Sequence, residues 1–315
     1  MDKEKKKFLR RKAGWVLLKL SSQLVKILPF KFILFLGKSF GLLGYIFSPR
    51  HRRIALESLN TAFAKEKTPL EIKRIAKDSF KLMGEAGWEI FYFLNNLDKV
   101  KQRVEIKGLE NLEKALEKKR GVIALTAHFG NFPLMCLRLK EEGFIVNTMA
   151  RPMRDEKAGS LIHNLRTQAG IKTIFSYPKR EAVFNSLKAL ANNEVLVIQM
   201  DQNYGTGGVW VKFFGKLAAT PVGPIVLALR SKACIVPMFI VRERRGFHTI
   251  FIEEETPLEM REDRDELILV NAIKFTKIIE DWVRRYPYLW GWIHRRWKSR
   301  PPEKVFNLKF RVQKD

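Results

Sequence analysis

The residue best suited to chemistry in this chain is a histidine that follows an apolar run. The segment Gly121–Asn131 contains five aliphatic or β-branched residues and then Ala-His-Phe-Gly-Asn, so His128 follows a predicted buried strand and precedes Gly130 and Asn131. Ligands of open α/β sheets bind just past the carboxyl ends of the strands. A histidine there can take a proton from a hydroxyl nucleophile, because its ordinary pKa lies near neutrality. A purely structural histidine is the alternative.

A second apolar run also ends in polar residues. Val195–Met200 is a predicted buried strand, and Asp201, Gln202 and Asn203 follow it. A carboxylate in this position can orient a histidine and stabilise its charged form, as in a catalytic triad. The alternative is an aspartate whose side chain caps a turn. The pattern therefore suggests a pair between His128 and Asp201 and leaves both interpretations open.

Several cationic residues lie between these two segments. Arginine binds phosphate through two parallel hydrogen bonds, and it can also stabilise an oxyanion. Arg151 and Arg154 are therefore candidates for binding substrate phosphate, and Arg166 is a candidate for stabilising an oxyanion. Lys179 and Arg180 follow further along the chain. A solvated basic face is the alternative explanation for most of these residues.

The elements that must position these residues alternate between short apolar runs and helical patterns after Gly108. This alternation predicts an α/β domain with a mixed central sheet flanked by helices. The predicted strands are Val122–Thr126, Ile145–Met149, Val195–Met200 and Ile235–Val241, with His248–Glu253 as an edge or hairpin strand. The predicted helices are Gly159–Ala169, Glu181–Asn192, Val222–Ser231 and Glu266–Arg285. Before this domain, residues 50–96 show a helical pattern with Thr68 as an N-cap.

The N-terminal residues differ in composition from the rest of the chain. Seven Lys or Arg residues lie within residues 3–12, and residues 15–47 are apolar but interrupted by lysines and by Pro29. Lysines spaced through an apolar segment are typical of helices that lie in a membrane interface. A buried helical hairpin broken at Pro29 is the alternative. We predict a membrane-anchoring helical segment at residues 1–48 and a catalytic domain at residues 49–315.

The C-terminal stretch Trp290–Trp297 combines tryptophan with arginine. This combination is favoured at membrane interfaces, where one end of a side chain is apolar and the other is wet. A tail packed against the catalytic domain is the alternative, and the two interpretations are compatible. The stretch is therefore a second candidate for membrane contact.

The net charge of +26 over 315 residues implies an acidic partner. The 23 phenylalanines lie mostly in apolar stretches, which favours a core or a membrane over stacking on bases, so we predict no nucleic-acid partner. Cys136 and Cys234 also lie in apolar runs and no Cys/His cluster occurs, so we predict no metal site. The sequence contains no P-loop, GxGxxG, GxSxG or HExxH motif, which argues against the commonest nucleotide-dependent, hydrolase and zinc-protease classes.

Several segments, in this order along the chain, resemble the lipid A biosynthesis (lauroyl/myristoyl) acyltransferases, within the wider lysophospholipid acyltransferase-like group. They are Arg53–Phe63, Ala127–Phe132, Ala150–Pro152, Asp201-Gln202, Phe213–Pro221, Gly223-Pro224 and Trp292–Pro301. The resemblance implies transfer of an acyl chain from acyl carrier protein to a hydroxyl, commonly on a phosphorylated glucosamine disaccharide. It implies no metal or nucleotide cofactor, because the thioester is already activated. It also implies a location on the cytoplasmic face of the bacterial inner membrane.

The resemblance further assigns roles through the family motif His-x4-Asp/Glu, in which the histidine is the base and the carboxylate is its partner. His128 matches the histidine, but Pro133 stands where the acid is expected. Asp201 is the candidate replacement. The alternatives are a base that works without an acid and a protein that has lost the activity.

The expected mechanism follows from these assignments. His128 deprotonates the acceptor hydroxyl, and Asp201 stabilises the resulting imidazolium. Arg166, or backbone N–H groups near Gly130 and Asn131, stabilises the oxyanion. The residues expected to contact substrate are Gly130, Asn131, Arg151, Arg154 and Gln202.

Three other functions stay open at this stage. The acceptor of an acyltransferase can also be a lysophospholipid or an aminolipid. A catalytically inactive lipid-binding homologue is a different class, and Pro133 is the evidence for it. A basic nucleic-acid-binding protein is a third class, and the apolar N-terminal third of the chain argues against it.

Overall fold

The computed structural model describes residues 12, 14–16, 19–153, 155–205 and 207–300. Its strands are β1 (Val104–Lys107), β2 (Val122–Thr126), β3 (Val146–Ala150), β4 (Lys172–Phe175), β5 (Val195–Gln199), β6 (Val209–Phe213), β7 (Lys216–Thr220), β8 (Cys234–Arg242) and β9 (His248–Ile252). Seven of them form one sheet with the spatial order β1-β9-β8-β2-β5-β3-β4. The strands β6 and β7 form a separate antiparallel hairpin.

Helices precede the sheet, connect its parallel strands and follow its last strand. They are α1 (Phe30–Phe47), α2 (Pro49–Phe63), α3 (Pro69–Leu94), α4 (Val100–Arg103), α5 (Leu109–Glu117), α6 (Phe132–Glu141), α7 (Glu156–Gln168), α8 (Lys179–Ala191), α9 (Gly223–Ser231) and α10 (Arg264–Arg285). Short 3-10 helices cover Leu97–Lys99, Arg244–Gly246 and Pro287–Leu289. The predicted α/β class with a sheet flanked by helices is confirmed, and most of the sheet is parallel.

The central strands are buried on both faces. Ile123 and Leu125 of β2 belong to one apolar core, and Val122 and Ala124 belong to a second core on the opposite face. Side chains of a strand alternate between the two faces of the sheet, so a strand covered on both sides is apolar throughout. This double burial explains why β2, β5 and β8 were recognisable in the sequence as continuous apolar runs.

The edges of the sheet are the elements that the sequence analysis missed. The strands β1 and β4 are the two edges of the sheet, and each has only four residues, of which two are polar. The prediction that His248–Glu253 is an edge strand is wrong, because β9 pairs with β1 on one side and with β8 on the other. Its predicted hairpin is confirmed, since β8 and β9 are antiparallel neighbours.

The parallel strands place their carboxyl ends along one edge of the sheet. The strand β2 pairs in parallel with β5, with Thr126 opposite Gln199, and β5 pairs in parallel with β3. His128 and Asp201 each follow one of these strands by two residues. Adjacent strands lie about 4.8 Å apart, so both side chains start from neighbouring positions on the same edge.

The helices before the sheet pack on one another through glycines. Gly84 of α3 approaches α1 so closely that an added Cβ would lie 2.2 Å from the carbonyl oxygen of Gly37. Helix α1 begins directly after Pro29, the residue at which the alternative interpretation placed a break. Helix α3 begins at the predicted cap, where Thr68 and Glu71 form a reciprocal capping box. The two-region division of the chain stays a prediction.

The outer face of α1 is apolar and exposed. The helix is long and apolar enough to cross a membrane, and only Ile33, Gly37 and Gly41 of its 18 residues are buried. Phe32, Phe35 and Phe47 are 58%, 64% and 76% exposed. This face is the part of the described chain that supports the predicted membrane contact. The basic run at residues 3–12 lies outside the described residues, apart from Lys12.

Replacing Phe32, Phe35 and Phe47 together by glutamate is expected to reduce membrane binding about tenfold or more. Burying one large apolar side chain contributes about 2 kcal/mol, and glutamate removes that contribution without touching the glycine contact with α3. Co-sedimentation with anionic vesicles measures the effect. The control replaces Leu70 and Met260 by glutamate. These two residues lie outside α1, and they are 77% and 66% exposed. Equal sedimentation of both variants would show that α1 is not the anchor.

Candidate active site

The structure brings His128 and Asp201 into contact. The Nδ1 atom of His128 lies 2.9 Å from Oδ1 of Asp201, and the backbone N–H of His128 donates to Oδ2 at 3.0 Å. Asp201 is almost fully buried, whereas the His128 side chain is 38% exposed. Because a carboxylate only accepts hydrogen bonds, the ring proton belongs on Nδ1. Nε2 then carries the lone pair that a general base requires, and the Gln202 amide is its hydrogen-bond partner in this structure.

The C-terminal segment wraps around this pair. The indole Nε1 of Trp290 donates to Oδ2 of Asp201 at 2.7 Å. The backbone N–H of Gly291 donates to the carbonyl of His128 at 3.1 Å, and that of Gly130 donates to the carbonyl of Leu289 at 2.8 Å. Trp290 is 1% exposed and Trp292 is fully buried, so the proposed membrane contact of these two residues is wrong. Both pack as core residues, and Trp290 holds the carboxylate of Asp201.

The pair shifts the protonation equilibria of both partners. Burial disfavours a charge on the His128 ring, but the carboxylate of Asp201 outweighs burial and raises the pKa of His128. Burial alone would raise the pKa of Asp201. The adjacent imidazole and the hydrogen bonds from His128 and Trp290 outweigh it and lower the pKa of Asp201 to about 2. Asp201 is therefore ionised throughout the physiological range.

His128 opens into a cavity of ≈ 320 Å³ at the carboxyl edge of the sheet. The cavity is lined mainly by apolar residues of α3 and by the C-terminal segment, together with Gly130, Asn131, Gln202 and His294. The Nε2 amide group of Gln202 lies 3.1 Å from Nε2 of His128, where the acceptor hydroxyl is expected. Gly130 is required by sterics, since its φ is +55° and an added Cβ would lie 2.1 Å from the Ile240 carbonyl oxygen.

Pro133, the residue in place of the family acid, lies in the first turn of α6. A proline is tolerated there because the missing N–H would have no partner within the helix. Together with Phe132, Gly87 and Ile90 it lines both the His128 cavity and an adjoining pocket of ≈ 190 Å³. Pro133 is thus part of an apolar wall between the two cavities. The carboxylate that contacts His128 is that of Asp201.

Arg166 lies in the adjoining pocket and not in the His128 cavity. Its neighbours there include Cys136, Thr148 and Leu165, and it has no hydrogen-bond or ion-pair partner among the described residues. Burial lowers its pKa, with the nearby Cys136 opposing. Its predicted role at the oxyanion stays a prediction, and it requires a substrate that extends into both cavities.

The other predicted cations lie farther along the same edge. Arg151 follows β3, which is separated from β2 by β5, so it starts about 10 Å from the end of β2. It is exposed, as are Lys179 and Arg180 at the start of α8. Arg154 lies outside the described residues. The structure therefore does not bring Arg151, Lys179 or Arg180 into the His128 cavity. The predicted contact of Arg151 and Arg154 with phosphate stays a prediction.

A buried ionic cluster in the same cavity was missed by the sequence analysis. Glu89 is fully buried and pairs with Arg242, and its carboxylate lies 3.3 Å from Nε2 of His248 and accepts a hydrogen bond from Asn131 at 3.3 Å. Arg242 also lies 3.4 Å from Glu85. Asn131 is the N-cap residue of α6, so the cluster holds the start of the helix that follows His128. No sequence signal marked it, because its members come from α3, β8 and β9.

The cysteines and the possible metal ligands are the remaining reactive groups. Cys136 and Cys234 are free and buried, as the apolar runs predicted. Within residues 12–300, as far as the structure describes them, no three His, Cys, Asp or Glu residues are grouped to hold a metal ion. The absence of a cofactor stays a prediction.

A parallel-dominated sheet with an imidazole–carboxylate pair beside apolar cavities fits a transferase that acts on a lipid. Comparison with known proteins identifies the class. Residues 1–299 match the family of bacterial lipid A biosynthesis acyltransferases. The chain belongs to this family and is an acyltransferase.

Individual relatives support the assignment. Over 289 residues the chain is 27% identical to a lipid A biosynthesis lauroyltransferase of Escherichia coli, covering 88% of this chain and 89% of that protein. Over 285 residues it is 29% identical to a lipid A biosynthesis palmitoleoyltransferase of Escherichia coli, covering 87% of each. A phosphatidylinositol mannoside acyltransferase of Mycobacterium tuberculosis is 27% identical over 143 residues, or 45% of each chain.

Proposed function

We propose that this protein transfers a fatty acyl chain from acyl carrier protein to a hydroxyl of a lipid A precursor or related glycolipid, with His128 as general base. The observation that carries the proposal is the hydrogen bond between His128 Nδ1 and Asp201, which places the lone pair on Nε2, where an acceptor hydroxyl would replace the Gln202 amide. The names of the two Escherichia coli relatives support a lipid A acceptor. That of the mycobacterial relative supports a mannosylated phosphatidylinositol as the alternative glycolipid.

The proposed reaction is one direct transfer. Nε2 of His128 takes the proton of the acceptor hydroxyl while the hydroxyl oxygen attacks the thioester carbonyl carbon. Asp201 stabilises the imidazolium that forms. The tetrahedral oxyanion then collapses, the C–S bond breaks, and the imidazolium returns its proton to the thiolate sulfur. The product is an ester, and no further reactant is needed.

The acyl chain is proposed to occupy the pocket that adjoins the His128 cavity. Its lining is largely apolar, from Ile90, Phe91 and Leu94 of α3 to Ile162 and Leu165 of α7. Gly87 lines both cavities, and an added Cβ there would have no atom within 4 Å. The wall at this position is therefore open space that a larger side chain can fill without strain.

Replacing Gly87 by phenylalanine is expected to shift the preference toward shorter acyl donors. Losing the burial of about three methylenes costs about 2 kcal/mol, which lowers the ratio of kcat/KM for long over short chains about 30-fold. A panel of acyl carrier proteins with chains of different length measures this ratio, which cancels any general loss of activity. Gly87→Ala, which adds one methyl group, is the control. An unchanged ratio in folded Gly87→Phe would place the acyl chain elsewhere.

The net charge and the apolar face of α1 support the proposed acyl donor and the proposed location in the cell. Acyl carrier proteins, phosphorylated glycolipids and inner-leaflet lipids are anionic, and this chain carries a net charge of +26. We propose that the protein works at the cytoplasmic face of the inner membrane. Arg151 and Arg154 are the proposed contacts for acceptor phosphate.

The test is transfer of a radiolabelled acyl chain from acyl carrier protein to a set of acceptors. The set contains a phosphorylated lipid A precursor, a phosphatidylinositol mannoside and a lysophospholipid. We expect the fastest transfer to the lipid A precursor. Faster transfer to either other acceptor would replace the proposed one. Absence of transfer to all three would favour a lipid-binding protein on an acyltransferase fold.

A further inference from the structure

Two further imidazoles line the cavity that His128 opens into, His248 of the buried ionic cluster and His294. His294 lies on the C-terminal segment, four residues after Trp290, and faces the same cavity as His128, Gln202 and Gly291. The C-terminal segment is held by hydrogen bonds on both sides of His294. Trp290 binds Asp201, and the buried Arg296 donates to the carbonyl of Ala219 and to the hydroxyl of Thr220 at 2.5 Å each. His294 is therefore held by a rigid support.

The hydrogen bonding of His294 determines which of its nitrogens carries the proton. The backbone N–H of Asn203 points at Nε2 of His294 with an N···N distance of 2.8 Å. A backbone N–H can only donate, so Nε2 must be the unprotonated nitrogen of the ring. The proton of the neutral ring is then on Nδ1. No protein acceptor for Nδ1 occurs among the described residues, so this donor is left for a ligand.

The surroundings of His294 keep the ring neutral. Burial lowers the pKa of His294, the positive charges of His128 and Arg296 lower it further, and only Asp201 opposes them. A neutral donor suits a site in which His128 becomes positively charged, because two imidazolium rings would repel each other. His128 and His294 thus carry their ring protons on the same nitrogen, Nδ1, but Nδ1–H of His128 is bound to Asp201 whereas that of His294 has no acceptor among the described residues.

One alternative hydrogen-bond donor for the oxyanion already has an acceptor within the protein. The backbone N–H of Gly130, which the sequence analysis offered for this role, donates to the carbonyl of Leu289 at 2.8 Å. Arg166 lies in the adjoining pocket. His294, in contrast, lines the His128 cavity itself and offers a donor that has no acceptor among the described residues.

We infer that His294 is a catalytic residue that donates its Nδ1–H to the oxyanion of the tetrahedral intermediate. The inference rests on the proposed acyl transfer and deepens it. His294 contributes a hydrogen bond and exchanges no proton, so the proton balance of the reaction is unchanged. Such a donor stabilises charge that exists only in the transition state, and removing one typically costs about 10²- to 10³-fold in kcat.

Two variants separate this role from a structural one. In His294→Asn the side-chain amide can place an N–H where Nδ1–H stood, but the acceptor for Asn203 is lost. In His294→Gln the side-chain oxygen can replace Nε2 as that acceptor, but the Nδ1–H donor is lost. We measure kcat and KM of both variants with the same acyl donor and acceptor, together with their thermal unfolding.

The inference predicts that His294→Gln loses about 10²-fold or more in kcat with little change in KM, while His294→Asn stays within about tenfold of the wild type. The opposite order, with His294→Gln active and His294→Asn inactive, would show that His294 only tethers residues 201–203. Equal losses in two folded variants would also overturn it. Failure of the proposed function is recognised separately, because the wild type itself would then show no transfer.

Discussion

Replacing Asp201 by asparagine is expected to lower the turnover of acyl transfer by about 10⁴ while the fold is retained. The reason is how the carboxylate is held. Its Oδ2 accepts hydrogen bonds from the Trp290 indole and from the backbone N–H of His128, so the single oxygen of asparagine would take that position. The amide N–H would then point at His128 Nδ1. This contact would move the ring proton to Nε2, where it blocks the base.

The same variant is expected to change the pH dependence of the reaction. In the wild type, burial opposes a charge on His128, but Asp201 outweighs burial and raises the pKa of the ring. A base must be neutral, so wild-type activity is full above this raised pKa and falls as the pH decreases through it. Without the carboxylate the acidic limb moves to lower pH, and the plateau is lower. Profiles of kcat/KM against pH for both proteins measure the shift.

The control for this variant is Asp281→Asn. Asp281 lies on the surface of α10, where its side chain is 47% exposed and pairs with Lys277. Surface pairs of this kind contribute little, so transfer and its pH profile should be unchanged. Turnover near the wild-type value in folded Asp201→Asn would mean that Asp201 is not the partner of the base.

Replacing His128 by alanine is expected to reduce transfer by about 10⁶, close to background. The variant removes the base and leaves the fold in place, because Asp201 keeps its hydrogen bonds from Trp290 and from the backbone N–H of residue 128. The space left by the ring lies next to this carboxylate. Added imidazole is therefore expected to restore part of the activity, and the rescue should saturate.

The control for His128→Ala is His51→Ala. His51 is exposed at the start of α2, where its Nδ1 lies 2.7 Å from the Ser48 hydroxyl, and it does not line the His128 cavity. Its removal should leave transfer unchanged. Undiminished transfer by His128→Ala would remove the proposed base. Loss without rescue would point to a collapsed cavity, which the thermal unfolding of the variant tests.

The sequence alone predicted those elements that are determined by residues close together in the chain. A strand buried on both faces must be apolar throughout, so β2, β5 and β8 were predicted within about one residue of their observed bounds. The helix start at Thr68 was equally visible, because a cap depends on neighbouring residues. The short edge strands β1 and β4 have no apolar run, and they were missed for that reason.

Candidate residues at strand ends could be named, but their partners could not. The sequence placed His128 and Asp201 after two strands, and a pair between them was one of two open interpretations. Only the strand order makes β2 and β5 neighbours, and only their register sets Thr126 opposite Gln199. These two facts bring side chains together that are 73 residues apart.

The remainder of the site was decided by tertiary structure. The C-terminal segment supplies Trp290 to the carboxylate and His294 to the cavity, although it follows the sheet by a long helix. Its sequence equally suggested a membrane contact, because a tryptophan that will be buried and one that will face lipid have the same composition. Which of the two it becomes depends on the surface that the rest of the chain presents, and this surface exists only after the sheet and its helices have packed.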